Sequence, residues 1–207
     1  NDEELKLIGE WKIDKILSFY QKKIILFPGR LTSWKGHEIF IEALNIFKKN
    51  NPDKLFFVVI LGSDQGRKIY KKKIQRLVEQ YRLIHDVLFV DNCKKMPSAY
   101  KIADIVVNCS IEPEAFGRVA VEAQAMEKII LASDIGGSRE TVIDNKTGFL
   151  FKAGDASALS HKISHIFELD ETTLKSMGNE GRKNVIKKFN VEKMCFSTYS
   201  EYKKLIS

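Results

Sequence analysis

The sequence predicts an α/β fold: a Rossmann-like parallel sheet flanked by helices, with further helices at its C-terminal end. Three observations lead there. From about Lys22 to Phe151, short β-branched or aromatic runs alternate with stretches of helical spacing. The runs are apolar throughout rather than at every second residue, as in strands covered on both faces. Beyond Asp155 only helical spacing remains. Such βα alternation builds a doubly wound sheet.

The elements follow in order. Residues 1–22 carry Leu5, Ile8, Ile13, Ile16 and Leu17 at helical spacing and are expected to be a lead-in or interdomain segment. Strands are expected at Ile24–Phe27, Phe56–Leu61, Val87–Val90, Ile105–Val107, Ile129–Leu131 and Gly148–Phe151. His37–Lys49 places Phe40, Ile41, Leu44 and Phe47 on one face, and Lys68–Leu83 does the same with Ile69, Ile74, Leu77 and Val78. A helix follows Gly117 and runs to Met126. Asp155 is placed to cap a helix over Ser157–Glu168, with Leu159, Ile163, Ile166 and Phe167 as its stripe. Two more helices, Thr172–Lys188 and Val191–Ile206, are separated by a break near Phe189-Asn190. Residues 23–170 thus form the sheet domain, and 171–207 its C-terminal helices.

The 207 residues suit one domain. At 44% hydrophobic and 29% charged the chain has a normal core, and no apolar run approaches the ~18 residues that span a bilayer. It begins Asn-Asp-Glu-Glu, with nothing like a signal peptide, and reads as a piece of a longer protein. Cys93, Cys109 and Cys195 are odd in number and far apart, which argues against disulfides or a zinc site and points to the reducing cytoplasm. A net charge of +7 favours anionic partners without choosing among them.

In open α/β sheets ligands bind beyond the carboxyl ends of the strands. After the first strand, Gly29 permits close backbone approach, while Arg30 and Lys35, with Gly36, bring two cations suited to a diphosphate. A plain turn with surface cations fits that segment equally well. Gly62 follows the second strand and is explained as well by a strand-to-helix turn. After the fourth strand comes Glu114-Ala115-Phe116-Gly117-Arg118-Val119, with Glu122 inside the ensuing helix. Free N–H groups of Arg118, Val119 and Ala120 at that helix start suit a phosphate. On spacing alone, Arg118 and Glu122 are a surface pair worth about 0.2–0.5 kcal/mol and Glu114 a solvated loop residue. Gly136-Gly137 after the fifth strand fits a sugar or phosphate loop, or a turn in which Ser138 caps the next helix.

Taken in order, these pieces resemble the C-terminal domain of the family 4 retaining glycosyltransferases, half of a two-domain GT-B fold. The matching residues are Gly29-Arg30-Leu31 with Lys35-Gly36, Glu114 and Glu122 with Phe116-Gly117 between them, Glu122-Ala123, Gly136-Gly137 with Glu140, and Thr147-Gly148-Phe149-Leu150. The resemblance covers roughly residues 22 to 170. It implies that Arg30 and Lys35 bind a nucleotide-sugar diphosphate without a metal or other cofactor. It also implies that Glu114 holds a hydroxyl of the transferred sugar, that the backbone at Phe116 to Val119 cradles phosphate, and that Glu122 accepts from the ribose. Asn92 and Cys93, after the third strand, would flank the base. The family usually has Gly and Pro where this chain has Glu127 and Ile129, Pro where it has Cys109, and Gly where it has Asp91. Family members also carry an N-terminal acceptor-binding domain, so these residues alone are expected to bind donor and transfer sugar poorly.

Competing classes lack their signatures. There is no Gly-x-Gly-x-x-Gly after the first strand and no P-loop. His161 and His165 share a helix face, but no third metal ligand accompanies them. Lys68, Lys71, Lys72, Lys73 and Arg76 form a basic cluster with only Tyr70 as an interleaved aromatic. That disfavours nucleic acid and leaves a solvated face or an anionic membrane surface, the latter on the cytoplasmic side of the inner membrane. A non-catalytic nucleotide-sugar-binding module is the remaining alternative.

Overall fold

The computed structural model describes residues 2–12 and 22–206. Six strands, β1 (Lys23–Pro28), β2 (Phe56–Leu61), β3 (Val87–Val90), β4 (Ile105–Asn108), β5 (Ile129–Ser133) and β6 (Phe149–Phe151), form one sheet. Their order is β3-β2-β1-β4-β5-β6, and all pairings are parallel. The helices are α1 (Asp2–Glu10), α2 (His37–Asn50), α3 (Lys68–Gln80), α4 (Met96–Ile102), α5 (Arg118–Ala125), α6 (Ser138–Thr141), α7 (Ala156–Glu168), α8 (Glu171–Lys188) and α9 (Val191–Ile206).

The strands are uniformly apolar because each feeds two cores. Side chains alternate across a sheet, so Ile25 and Phe27 pack with α2, α3 and α7 on one face. Ile24 and Leu26 pack with α4 and α5 on the other. The chain winds outward from β1 to β3, then restarts at β4 on the opposite side of β1. At that reversal the loops after β1 and β4 part and leave a crevice at the strand ends.

Helix ends follow local chemistry. The Asp155 side chain accepts from the Ala158 N–H at 2.9 Å, as expected of a cap. α3 stops at Gln80 rather than Leu83, because Arg82 turns left-handed (φ 55). The Leu83 N–H then bonds back to the Val78 carbonyl. α4 was not anticipated; seven residues starting at Met96-Pro97 are too short for a periodicity to register. In α1 the buried residue is Leu7, not Leu5, which is 66% exposed; Ile13, Ile16 and Leu17 lie outside the described residues. α9 has no buried residue and leaves Val191, Met194, Phe196, Tyr199, Leu205 and Ile206 exposed.

Glu127, which stands where the family this sequence resembles usually has glycine, sits just past α5 at φ 58. A left-handed conformation costs a residue with a Cβ about 1–2 kcal/mol. Its half-exposed ion pair with Arg182 (3.5 Å) returns less than that. Glu127→Gly is therefore expected to stabilise the fold by about 1 kcal/mol, read as a higher urea midpoint at unchanged slope. An unchanged or lower midpoint counts against this reading of the turn.

Candidate functional site: a cationic cleft at the β1–β4 crevice

Two loops build the site. After β1, Leu31 is buried and anchors the chain, and Ser33–Lys35 forms one 3₁₀ turn before α2. That turn folds the Lys35 side chain back beside its own indole neighbour. Lys35 is 7% exposed, and its Nζ lies 4.5 Å from the Trp34 ring centroid. The Arg30 guanidinium lies 6.0 Å from the same ring, so Trp34 sits against two cations. After β4, the Ile111 N–H donates to the Trp34 carbonyl at 2.8 Å and ties the two loops together.

Glu114 crosses to meet Lys35. The Lys35 Nζ donates to Glu114 Oε1 at 2.8 Å, and Ser110 Oγ donates to the same oxygen while lying 3.1 Å from Asn108 Oδ1. Burial raises the Glu114 carboxyl, but the bonds from Lys35 and Ser110, the Lys35 charge and Asn108 together outweigh it. Its pKa is held below the usual glutamate value, so it is ionised at neutral pH. It is an acceptor, not a proton donor.

Gly117 precedes α5 at φ 76, a conformation that favours glycine. The Ala120 N–H donates to the Gly117 carbonyl at 3.0 Å, which corrects the expectation of three free amides. Those of Arg118 and Val119 have no acceptor among the described residues. The expected Arg118–Glu122 pair forms at 3.1 Å, and Glu122 also accepts from the Tyr100 hydroxyl at 2.7 Å. Burial, reinforced by that bond, pushes the Tyr100 hydroxyl pKa upward. Tyr100 thus fixes Glu122 with a proton it does not give up.

Ten of the residues singled out from the sequence line one open cleft of about 400 Å³: Gly29, Arg30, Lys35, Glu114, Ala115, Phe116, Gly117, Arg118, Val119 and Glu122. Trp34 completes its wall. The other expected residues stand elsewhere. A Cβ on Gly36 would lie 1.9 Å from the Cys109 carbonyl oxygen, and one on Gly62 equally close to that of Gly29. Both glycines serve backbone packing between loops. Gly136 and Gly137 lie against the backbone of Glu114 and Phe116 and let that loop settle, with the Gly137 N–H donating to the Glu114 carbonyl at 2.8 Å. Ser138 does not cap α6; Gly137 holds the cap position without a side-chain bond. Asn92 is exposed, and Cys93 packs against the core face shared with α4.

Sequence reasoning missed Trp34, Asn108, Ser110 and Tyr100. Asn108 carried a signal: it is a polar residue, 2% exposed, ending an otherwise apolar strand. Of the histidine pair, His165 packs edge-on against Phe149 at 5.4 Å. No described helix is long and apolar enough to cross a membrane.

Comparison with known proteins gives a consistent picture. The family described as "Glycosyl transferases group 1" matches residues 10–184. The capsular polysaccharide biosynthesis glycosyltransferase CapM of Staphylococcus aureus is 38% identical over 182 residues, which is 87% of this chain and 45% of CapM. A glycosyltransferase structure from Rickettsia africae superposes with a TM-score of 0.90 at 31% identity, over 100% of this chain and 52% of that one. The structure of Anabaena Alr3699/HepE in complex with UDP-glucose has a TM-score of 0.83 at 24% identity, over 97% of this chain and 53% of that one, and shares the fold. The chain spans about half the length of the curated relatives it matches.

Proposed function

The chain belongs to the group 1 glycosyl transferases, and from that premise we propose that its cleft binds a nucleoside diphosphate sugar for retaining, metal-independent transfer to a glycan or lipid-linked acceptor. One observation carries the reading. The Lys35–Glu114 pair stands in the same cleft as Arg30 and the free amides of Arg118 and Val119. A diphosphate needs those cations and N–H groups, and a sugar hydroxyl beside it needs an ionised acceptor.

In this account Arg30, Lys35 and the start of α5 hold the diphosphate and stabilise its charge as the sugar C1–O bond breaks. The bonding pair leaves with the nucleotide. The acceptor hydroxyl bonds to C1, and its proton passes to the departing phosphate oxygen. Glu114 and Glu122 are each held by a cation, so neither is free to attack C1. Retention then requires the acceptor to enter on the face from which the diphosphate leaves, where the departing phosphate oxygen takes its proton. Glu114 accepts from a sugar hydroxyl and Glu122 from the ribose. The body of the acceptor would be held by the half of the relatives' length that this chain does not span, and the uncovered α9 face would meet that half.

A thermal-shift series with UDP, GDP and ADP in chelator tests the reading. One nucleotide is expected to raise the unfolding temperature, since ligand at a hundred times its Kd stabilises by about 2.7 kcal/mol. In Glu122→Ala and Arg30→Ala, each first verified as folded by circular dichroism, the shift is expected to fall by more than half. Equal shifts in wild type and both variants would place the nucleotide elsewhere.

A further inference from the structure

Beside the cleft lies a second concavity of about 550 Å³, walled by Thr32–Trp34 on one side and by Gly66–Tyr70 and Lys73 on the other. Trp34 is common to both, so whatever occupies this concavity sits across one indole from the donor. We propose that it binds a phosphate group carried by the acceptor. The inference rests on the glycosyl-transfer reading and adds the acceptor's chemistry to it.

Three features converge. The 13-residue helix α3 begins here with no side-chain cap and no acid in its first turn. The N–H groups of Lys68, Ile69 and Tyr70 therefore have no acceptor among the described residues. Such a helix start carries partial positive charge. Independently, Thr32 lines the concavity at 6% exposure with its Oγ1 unpartnered, and the Tyr70 hydroxyl in the same wall is unpartnered too. A buried hydroxyl without a partner is costly, and a ligand oxygen supplies one. Finally, Arg67 and Lys68 stand at the rim with no carboxylate pairing either of them among the described residues. Lys73 is already paired with Glu38 at 2.5 Å and adds little.

The demand of this wall is for acceptor oxygens and negative charge together. A neutral sugar satisfies the hydroxyls but leaves the cations unused; a phosphate satisfies both. The phosphate's source is either a soluble sugar phosphate or a lipid headgroup. Lys68, Lys72 and Arg76, spaced four apart on α3 beside Ile69 (87% exposed), make a basic face running away from the concavity, which suits the lipid.

The test is an amide NMR titration of the chain with inorganic phosphate in the presence of saturating UDP. Saturable shifts are expected at Thr32 and at Lys68 to Tyr70, and phosphate affinity is expected to fall about tenfold or more in Arg67→Ala/Lys68→Ala and in Thr32→Val. UDP binding should be unchanged in these variants, which separates failure here from failure of the donor reading. Co-sedimentation with phosphatidylglycerol vesicles, competed by phosphate, assigns the lipid source, and its absence beside phosphate binding assigns the soluble one. Non-saturable shifts, shifts confined to the start of α5, or variants that bind phosphate normally overturn the proposal. So does preferential binding of homopolymer RNA that phosphate does not displace.

Discussion

Replacing Lys35 by alanine is expected to lower the affinity for a nucleoside diphosphate about a hundredfold, or about 2.7 kcal/mol. Lys35 is 7% exposed, so its ammonium acts with little screening. The same substitution harms the free protein, because the Glu114 side chain is only 15% exposed and loses its cation. Leaving such a carboxylate unpaired costs about 1–3 kcal/mol. Two further variants separate the effects. Glu114→Gln keeps the ammonium and should bind UDP within a few-fold of wild type. Lys35→Ala/Glu114→Gln should recover stability but not affinity. The pH dependence has a definite sign. Glu114 titrates lower in the folded chain than its ordinary 4.5, so its stabilising contribution is complete above pH 4.5 and lost as pH falls through the depressed value. A Lys35→Ala protein that binds nucleotide normally would remove Lys35 from the account.

His37 should produce the largest loss of stability in mild acid. It opens α2, fully buried, with its ring 4.5 Å from that of Phe27 and 5.9 Å from that of Tyr70. Neither ring nitrogen reaches a partner in full hydrogen-bonding geometry among the described residues. Burial, aided by the Lys35 charge, outweighs the opposing pull of the nearby Thr32 backbone and takes its pKa from 6.5 to about 4. The folded chain therefore keeps the imidazole neutral where the unfolded chain protonates it. This contribution is complete above pH 6.5 and erodes as pH falls toward 4, by about 3 kcal/mol at 1.36 kcal/mol per pKa unit. His37→Phe should flatten the stability profile between pH 6.5 and 5, above the window in which Glu114 titrates. Urea melts across that range give the slope; an equal slope in the variant would assign the acid sensitivity elsewhere.

Much of this molecule was legible because its signals are local. Strands buried on both faces must be apolar at every position, so Phe56–Leu61 announced itself. The Asp155 cap and the Arg118–Glu122 pair follow from spacings of three and four along one helix. The site was legible residue by residue, but its contacts were not. Lys35 and Glu114 are 79 positions apart, and nothing in either loop says that one ammonium reaches the other carboxylate. Trp34 and Tyr100 were overlooked because an aromatic beside a charged residue is commonplace in sequence. Their importance lies in the cations and the carboxylate they meet in space. The glycines mark the deeper limit. A missing Cβ in the sequence shows that something comes close, not what. At Gly36, Gly62, Gly136 and Gly137 that something is the backbone of a neighbouring loop.

Calorimetric titration of the chain with UDP, GDP and ADP in chelator tests the central claim most directly. The account predicts saturable one-to-one binding of at least one of them, weakened about a hundredfold in Lys35→Ala. A well-folded chain that binds none of the three would contradict it.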